Sequence, residues 1–151
     1  MHKSKWIPGS TAGGGISKNQ EYWKNPQFLF HLYEKDANKE NNKVDVVISL
    51  MQIPAVSKEM TLSHEFKINY FIYQVKKSIQ FPDYQPDYRF ANVSPVHLTK
   101  VEQALSFHND YREICVRFSL EPGNYVVIPS TFEPNQESDF LIRIFTEINK
   151  E

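Results

Sequence analysis

The chain has 151 residues, 40% hydrophobic and 14% aromatic, a composition that points to one globular domain rather than a disordered chain. Seventeen Lys and Arg against eighteen Asp and Glu leave a formal charge of −1, without the basic excess of a dedicated nucleic-acid binder. The one cysteine, Cys115, excludes an intrachain disulfide and a cysteine-built zinc site, and no window of roughly 18 apolar residues is present to span a membrane.

The opening MHKSKWIPGSTAGGG lacks the apolar core of a secretory signal, so the expected location is cytoplasmic. Its glycine run, Gly13-Gly14-Gly15, is followed by no Lys-Ser or Lys-Thr pair. It reads as extended chain rather than a phosphate cradle, with Trp6 and Trp23 as apolar anchors towards another domain. Residues 18–23 predict a short helix. Strands are then predicted at QFLFHLY (27–33), KVDVVISLM (43–51), FKINYFIYQV (66–75), REICVRFSL (112–120), residues 124–128 and residues 139–145. Alternation puts Phe28, Phe30 and Leu32 on one face, Ile114, Val116, Phe118 and Leu120 together, and Phe140, Ile142 and Ile144 opposite Leu141, Arg143 and Phe145. VEQALSF (101–107) predicts one or two helical turns. Prolines 82, 86, 95, 122, 129 and 134 forbid long helices elsewhere.

Glu121-Pro122-Gly123-Asn124 predicts a tight hairpin, because proline fixes φ at the second turn position and glycine tolerates positive φ at the third. Pro129 is expected to end the next strand, and Pro134 to stiffen a loop carrying Glu133, Glu137 and Asp139. Regularly spaced strands with turn signals between them predict an all-β, antiparallel β-sandwich. Residues 1–26 form an extended N-terminal segment, residues 27–148 the sandwich core, and residues 1–151 one domain. The sequon Asn92-Val93-Ser94 is read as a chance occurrence in a cytosolic chain.

Three stretches carry a family resemblance: GSTAGG (9–14), YWKNPQF (22–28) and LEPGNYVVIPSTFEPNQESDFLIRIFTE (120–147). In that order and at that spacing they resemble domain III of the calpain large subunit. The position after AGG, often cysteine in the family, is Gly15 here. The resemblance implies a C2-like sandwich of about eight strands, without a catalytic triad, that packs on the protease core and other domains of a calpain-type cysteine endopeptidase. It further implies relay of calcium, anionic phospholipid or protein-partner binding, with transient membrane association. A purely structural scaffold or protein-binding module without that response is the alternative. The family often carries a strongly acidic loop at residues 33–45, which makes Glu34, Asp36, Glu40 and Asp45 calcium candidates. Lys35, Lys39 and Lys43 interleave them and offset the field that would draw a cation.

Asp83 and Asp87, each between Pro and Tyr, are further calcium candidates that serve equally as turn caps. Lys76 and Lys77 are candidates for an anionic surface, and Trp6, Trp23, Glu133, Glu137 and Asp139 for interdomain contact. No cofactor is required, and Ca2+ is the one candidate. Cys115 lies in a strand between Ile114 and Val116 with no proteolytic histidine motif in the sequence, so no catalytic residue is assigned. No nucleic-acid partner is expected.

Overall fold

Two-residue alternation decides which face each strand of this chain buries, and the faces meet as two packed sheets. A computed structural model describes residues 1–16, 20–53, 66–79, 89–106, 109 and 111–147. Those residues form nine strands: β1 (His2–Trp6), β2 (Gln27–Leu32), β3 (Val44–Ile53), β4 (Ile68–Val75), β5 (Arg89–Ala91), β6 (Leu98–Gln103), β7 (Glu113–Leu120), β8 (Gly123–Thr131) and β9 (Ser138–Thr146). Their order is β1-β9-β3-β7 in a four-stranded sheet and β5-β2-β8-β4-β6 in a five-stranded sheet. Every ladder is antiparallel.

The main core lies between the sheets. Val44, Val46, Ile48 and Leu50 of β3, Ile114 and Phe118 of β7, and Phe140 and Ile142 of β9 meet Phe28 and Phe30 of β2, Tyr70 and Ile72 of β4, and Val127 of β8. The Tyr70 hydroxyl crosses this core and donates to the Ile48 carbonyl at 2.6 Å, joining the sheets by a buried hydrogen bond. Strands β2, β4 and β8 read as nearly continuous apolar runs because their second face is covered too. Leu29, Phe71, Tyr73, Val75, Val126 and Ile128 form an outer cluster under Tyr22, with Trp23, Ile79, Val93 and Leu98 packed against it. Tyr22 and Trp23 belong to a 3-10 turn at Gln20–Lys24, in place of the predicted short helix.

Three local expectations are corrected. The segment after Leu98 is strand β6 and not helix, since the open side of β4 supplies ladder partners from Leu98 to Gln103. Asn69 then fixes Leu105 from both sides, accepting its N–H and donating to its carbonyl. Pro129 does not end β8, which runs to Thr131. Extending the β2–β8 register sets Pro26, one residue outside β2, opposite Pro129, so no ladder bond is lost to the missing N–H. The predicted hairpin at Glu121–Asn124 is a crossing between sheets: β7 is an edge of one sheet and β8 the centre of the other. Tyr125 closes it by donating its hydroxyl to the Glu121 carbonyl at 2.6 Å, the device of a tyrosine corner. Among the described residues, no two strands that follow each other in sequence are hydrogen-bonded neighbours.

Burial pushes the Tyr73 phenol up to about 12 from 10.0, and the Tyr125 phenol, near the Glu121 carboxylate, also to about 12. A folded-state pKa above the unfolded one means stability complete below pH 10 and lost as pH rises through 12. Phenolate absorbance should therefore show a late step near pH 12 accompanied by unfolding, and that step should shrink in Tyr73→Phe.

Candidate functional site

Residues 7–15 fold back on their own domain. The Ile7 carbonyl accepts the N–H groups of Ser10, Thr11 and Ala12 at 2.9–3.0 Å. The Thr11 hydroxyl donates to Lys5 O and accepts from Ile7 N–H, both at 2.9 Å. The segment is then laced to the β8–β9 loop: Gly9 N–H to Asn135 Oδ1 at 3.1 Å, Asn135 N–H to Ala12 O at 2.9 Å, and Gly15 N–H to Phe132 O at 3.0 Å.

Asn25, 3% exposed, closes the clasp from the other side. Its Oδ1 accepts Gly13 N–H at 3.1 Å, while its Nδ2 donates to Gly14 O at 2.9 Å and Tyr22 O at 2.8 Å. The glycine run has a steric meaning. A Cβ on Gly13 would lie 2.0 Å from the Glu21 carbonyl oxygen, and Gly14, at φ +74°, abuts the backbone of Pro134. Beside the clasp lies a groove of about 440 Å³ lined by Ser4, Ser10, Thr11, Trp23, Lys24, Asn25, Pro26, Gln27 and Asn92. Trp23 is half-buried there, its ring in contact with Tyr22 and Tyr73.

The predicted interdomain residues divide. Trp6 is fully buried in its own core, with its ring centroid 4.2 Å from that of Phe140 and its indole N–H donated to Pro129 O at 3.2 Å. The domain itself therefore consumes this surface. Glu137, just before β9, pairs with Lys5 at 2.7 Å, and Asp139 of β9 lies 3.9 Å from Lys3, so both carboxylates hold β1. The Glu133 carbonyl accepts the Thr131 hydroxyl at 2.9 Å. Trp23 is the anchor left with exposed surface.

The acidic loop is organised by asparagines. Asn38 Oδ1 takes Glu40 N–H, Asn41 Oδ1 takes Lys43 N–H, and Asn42 sits at φ +57°. Glu34 and Asp36 lie in a 3-10 turn, whereas Asp45 is engaged by Arg117 at 3.0 Å on β3's outer face. Hydrogen bonds from Arg117 and Ser119 hold the Asp45 carboxyl below its ordinary range. Arg117 also donates to Glu147 at 2.7 Å. Among the described residues no three His, Cys, Asp or Glu side chains come together to hold a metal. Glu34, Asp36, Glu40 and Asp45 are thus not gathered into one such group. Asp83 and Asp87 lie outside the described residues.

Lys76 and Lys77 are exposed where β4 ends, and Lys76 N–H donates to His97 O at 2.9 Å. That bond brings the exposed Val96, at 66%, to the same corner. Among the described residues no helix is long and apolar enough to cross a membrane. Cys115 is exposed on β7. The sequence reading missed Asn25, Asn135 and Arg117. Asn25 alone had a signal, an asparagine before proline just after the short helical turn.

A family model described as calpain large subunit, domain III, matches residues 2–145. Calpain-A of Drosophila melanogaster is 34% identical over 149 residues, and Calpain-9 of Homo sapiens 35% over 147, each alignment covering 97% of this chain. Calpain-8 of Rattus norvegicus is 31% identical over 158 residues with the same coverage. The chain spans 17%, 20% and 21% of those proteins respectively.

Removing the Asn25 side chain leaves three buried backbone groups of the clasp without their partner. Asn25→Ala should lower unfolding free energy by about 3 kcal/mol, read as an earlier urea midpoint, while Asn92→Ala on the exposed groove wall should leave it within about 0.5 kcal/mol.

Proposed function

The chain belongs to the calpain large-subunit domain III family, and from that premise we propose that it is a docking module. It is read as the non-catalytic β-sandwich on which the other domains of a calpain-type cysteine protease are seated. The observation that carries this reading is the groove beside the N-terminal clasp. There a tryptophan at position 23 keeps exposed surface although the clasp around it is fixed by at least six hydrogen bonds from Asn25, Asn135 and Thr11. A rigid rim around a half-buried aromatic suits an interdomain contact, since little further ordering is required on docking.

In this reading the module acts by position. The clasp couples the N-terminal strand to the β8–β9 loop, so a pull on either is felt at the groove. An equilibrium between protease arrangements is then biased only by contacts that differ between them. Calcium dependence is assigned to other parts of the parent protein, because Asp45 is already neutralised by Arg117 and lysines dilute the remaining carboxylates.

In the full-length protease, Trp23→Ala should loosen the seating and raise proteolytic sensitivity at the domain junction, while the isolated 151-residue domain melts within a few degrees of wild type. Unchanged cleavage of the full-length variant would remove the groove from the interdomain contact.

A second reading, anionic-phospholipid binding, is favoured by the corner that combines Lys76 and Lys77 with exposed Val96. Two basic residues near an anionic surface contribute roughly 1 kcal/mol each. Lys76→Glu with Lys77→Glu should therefore lower co-sedimentation with phosphatidylserine vesicles at least tenfold. Equal binding by the double variant would refute the patch.

A further inference from the structure

We propose that β7 is a self-association edge, through which two copies of this chain pair antiparallel about a two-fold axis centred on Cys115. This goes beyond the docking role above. Among the described residues, β7 has β3 as its one sheet neighbour, so its other side is an open edge.

The ladder phase shows which groups face outward. Gln52 N–H donates to Arg112 O at 2.8 Å, and these residues face each other when the β3–β7 register is extended by one. Hydrogen-bonded and non-bonded pairs alternate along an antiparallel ladder. The even residues of β7 therefore spend their backbone N–H and C=O groups on β3. Glu113, Cys115, Arg117 and Ser119 turn theirs towards the open edge, and all four have exposed side chains.

Those outward residues are self-complementary. With Cys115 opposite Cys115 of the second copy, Glu113 faces Arg117 and Arg117 faces Glu113, giving two opposite-charge cross-strand pairs. Shifting the register by four residues sets Glu113 against Glu113, or Arg117 against Arg117. Charges on an edge ordinarily discourage pairing, and here their spacing favours the register centred on Cys115: a two-residue shift forfeits both opposite-charge pairs, and a four-residue shift sets like charges against each other. Arg117 holds both Asp45 and Glu147 through Nη2, so Nε and Nη1 are the atoms offered to the incoming carboxylate. Glu113 is held ready by the Ser49 hydroxyl, which donates to it at 2.8 Å. Pairing would join two four-stranded sheets into one of about eight strands through about six backbone hydrogen bonds. The Cys115 Cα atoms would then stand about 5.5 Å apart.

Sedimentation equilibrium of the 151-residue chain tests this, with each variant's fold checked by circular dichroism. A reversible species at twice the 17.7 kDa chain mass is expected. Glu113→Lys alone and Arg117→Glu alone should each weaken it about tenfold or more, and an equimolar mixture of the two should recover it, because unlike charges then face at both positions. Cys115→Pro removes an outward N–H without removing a β3 ladder bond, and should abolish the dimer while the fold persists. A short bismaleimide should cross-link wild type through Cys115, the chain's one thiol. A chain that stays monomeric throughout overturns the proposal and leaves the edge to a strand from elsewhere in the parent protein. A dimer indifferent to Glu113→Lys and not cross-linked at Cys115 overturns it equally.

Discussion

The N-terminal half of the architecture hangs on the indole of Trp6. Strand β1 is an edge of five residues, and its two ion pairs, to Glu137 and Asp139, join exposed side chains and hold it only weakly. Burying a tryptophan against Phe140 contributes several times more, of the order of 3–5 kcal/mol by the cost of truncation. Its N–H also satisfies the carbonyl of Pro129, which β2 stops short of reaching. One side chain thus sets the register of β1, ties the four-stranded sheet to the centre of the five-stranded one, and fixes where the chain enters the turn at Ile7–Ala12. The lacing of that turn to Asn135 and the seat of Gly13 against Glu21 depend on that entry point.

Much of the fold was legible because the hydrophobic effect writes itself as a two-residue period. All six strands predicted from QFLFHLY to DFLIRIF are present, and the predicted inward residues of β2, β7 and β9 lie in the main core. What failed was governed by partners distant in sequence. Residues 101–107 have an acceptable helical composition, but the unpaired side of β4 offers backbone bonds that outweigh a weak local preference. The Pro-Gly turn has the chemistry of a hairpin, yet turn chemistry reverses the chain without specifying which sheet it returns to. Pro129 escapes its usual role because the position facing it is another proline outside the ladder.

The functional surface was less legible for the same reason. Trp6 and Trp23 look alike as exposed-segment aromatics in sequence, but one fills the core and the other keeps a face beside a groove. The distinction rests on which of them belongs to a strand that pairs with β9, as Trp6 does opposite Ser138. Asp45 belongs by sequence to an acidic run. In the fold it stands opposite Ser119 of β7 and is reached diagonally by Arg117, and it leaves the other carboxylates behind. Asn25 and Asn135, which close the clasp from opposite sides, are separated by most of the chain. No local pattern could connect them.

That no ladder joins consecutive strands among the described residues has a consequence for biosynthesis. A nascent chain emerging from the ribosome cannot complete a hairpin as it goes, because each strand waits for one made much later. Strand β3 receives its first partner only when β7 appears, and β1 has no partner at all until β9, the last strand, has been made. For most of translation the apolar strands β2, β3 and β4 stand with open edges. Loop closure of that length places folding in the slow regime of all-β topologies, roughly milliseconds to seconds. The sandwich therefore stays exposed through most of its own synthesis, and the completion of β9 is the event that ends that exposure.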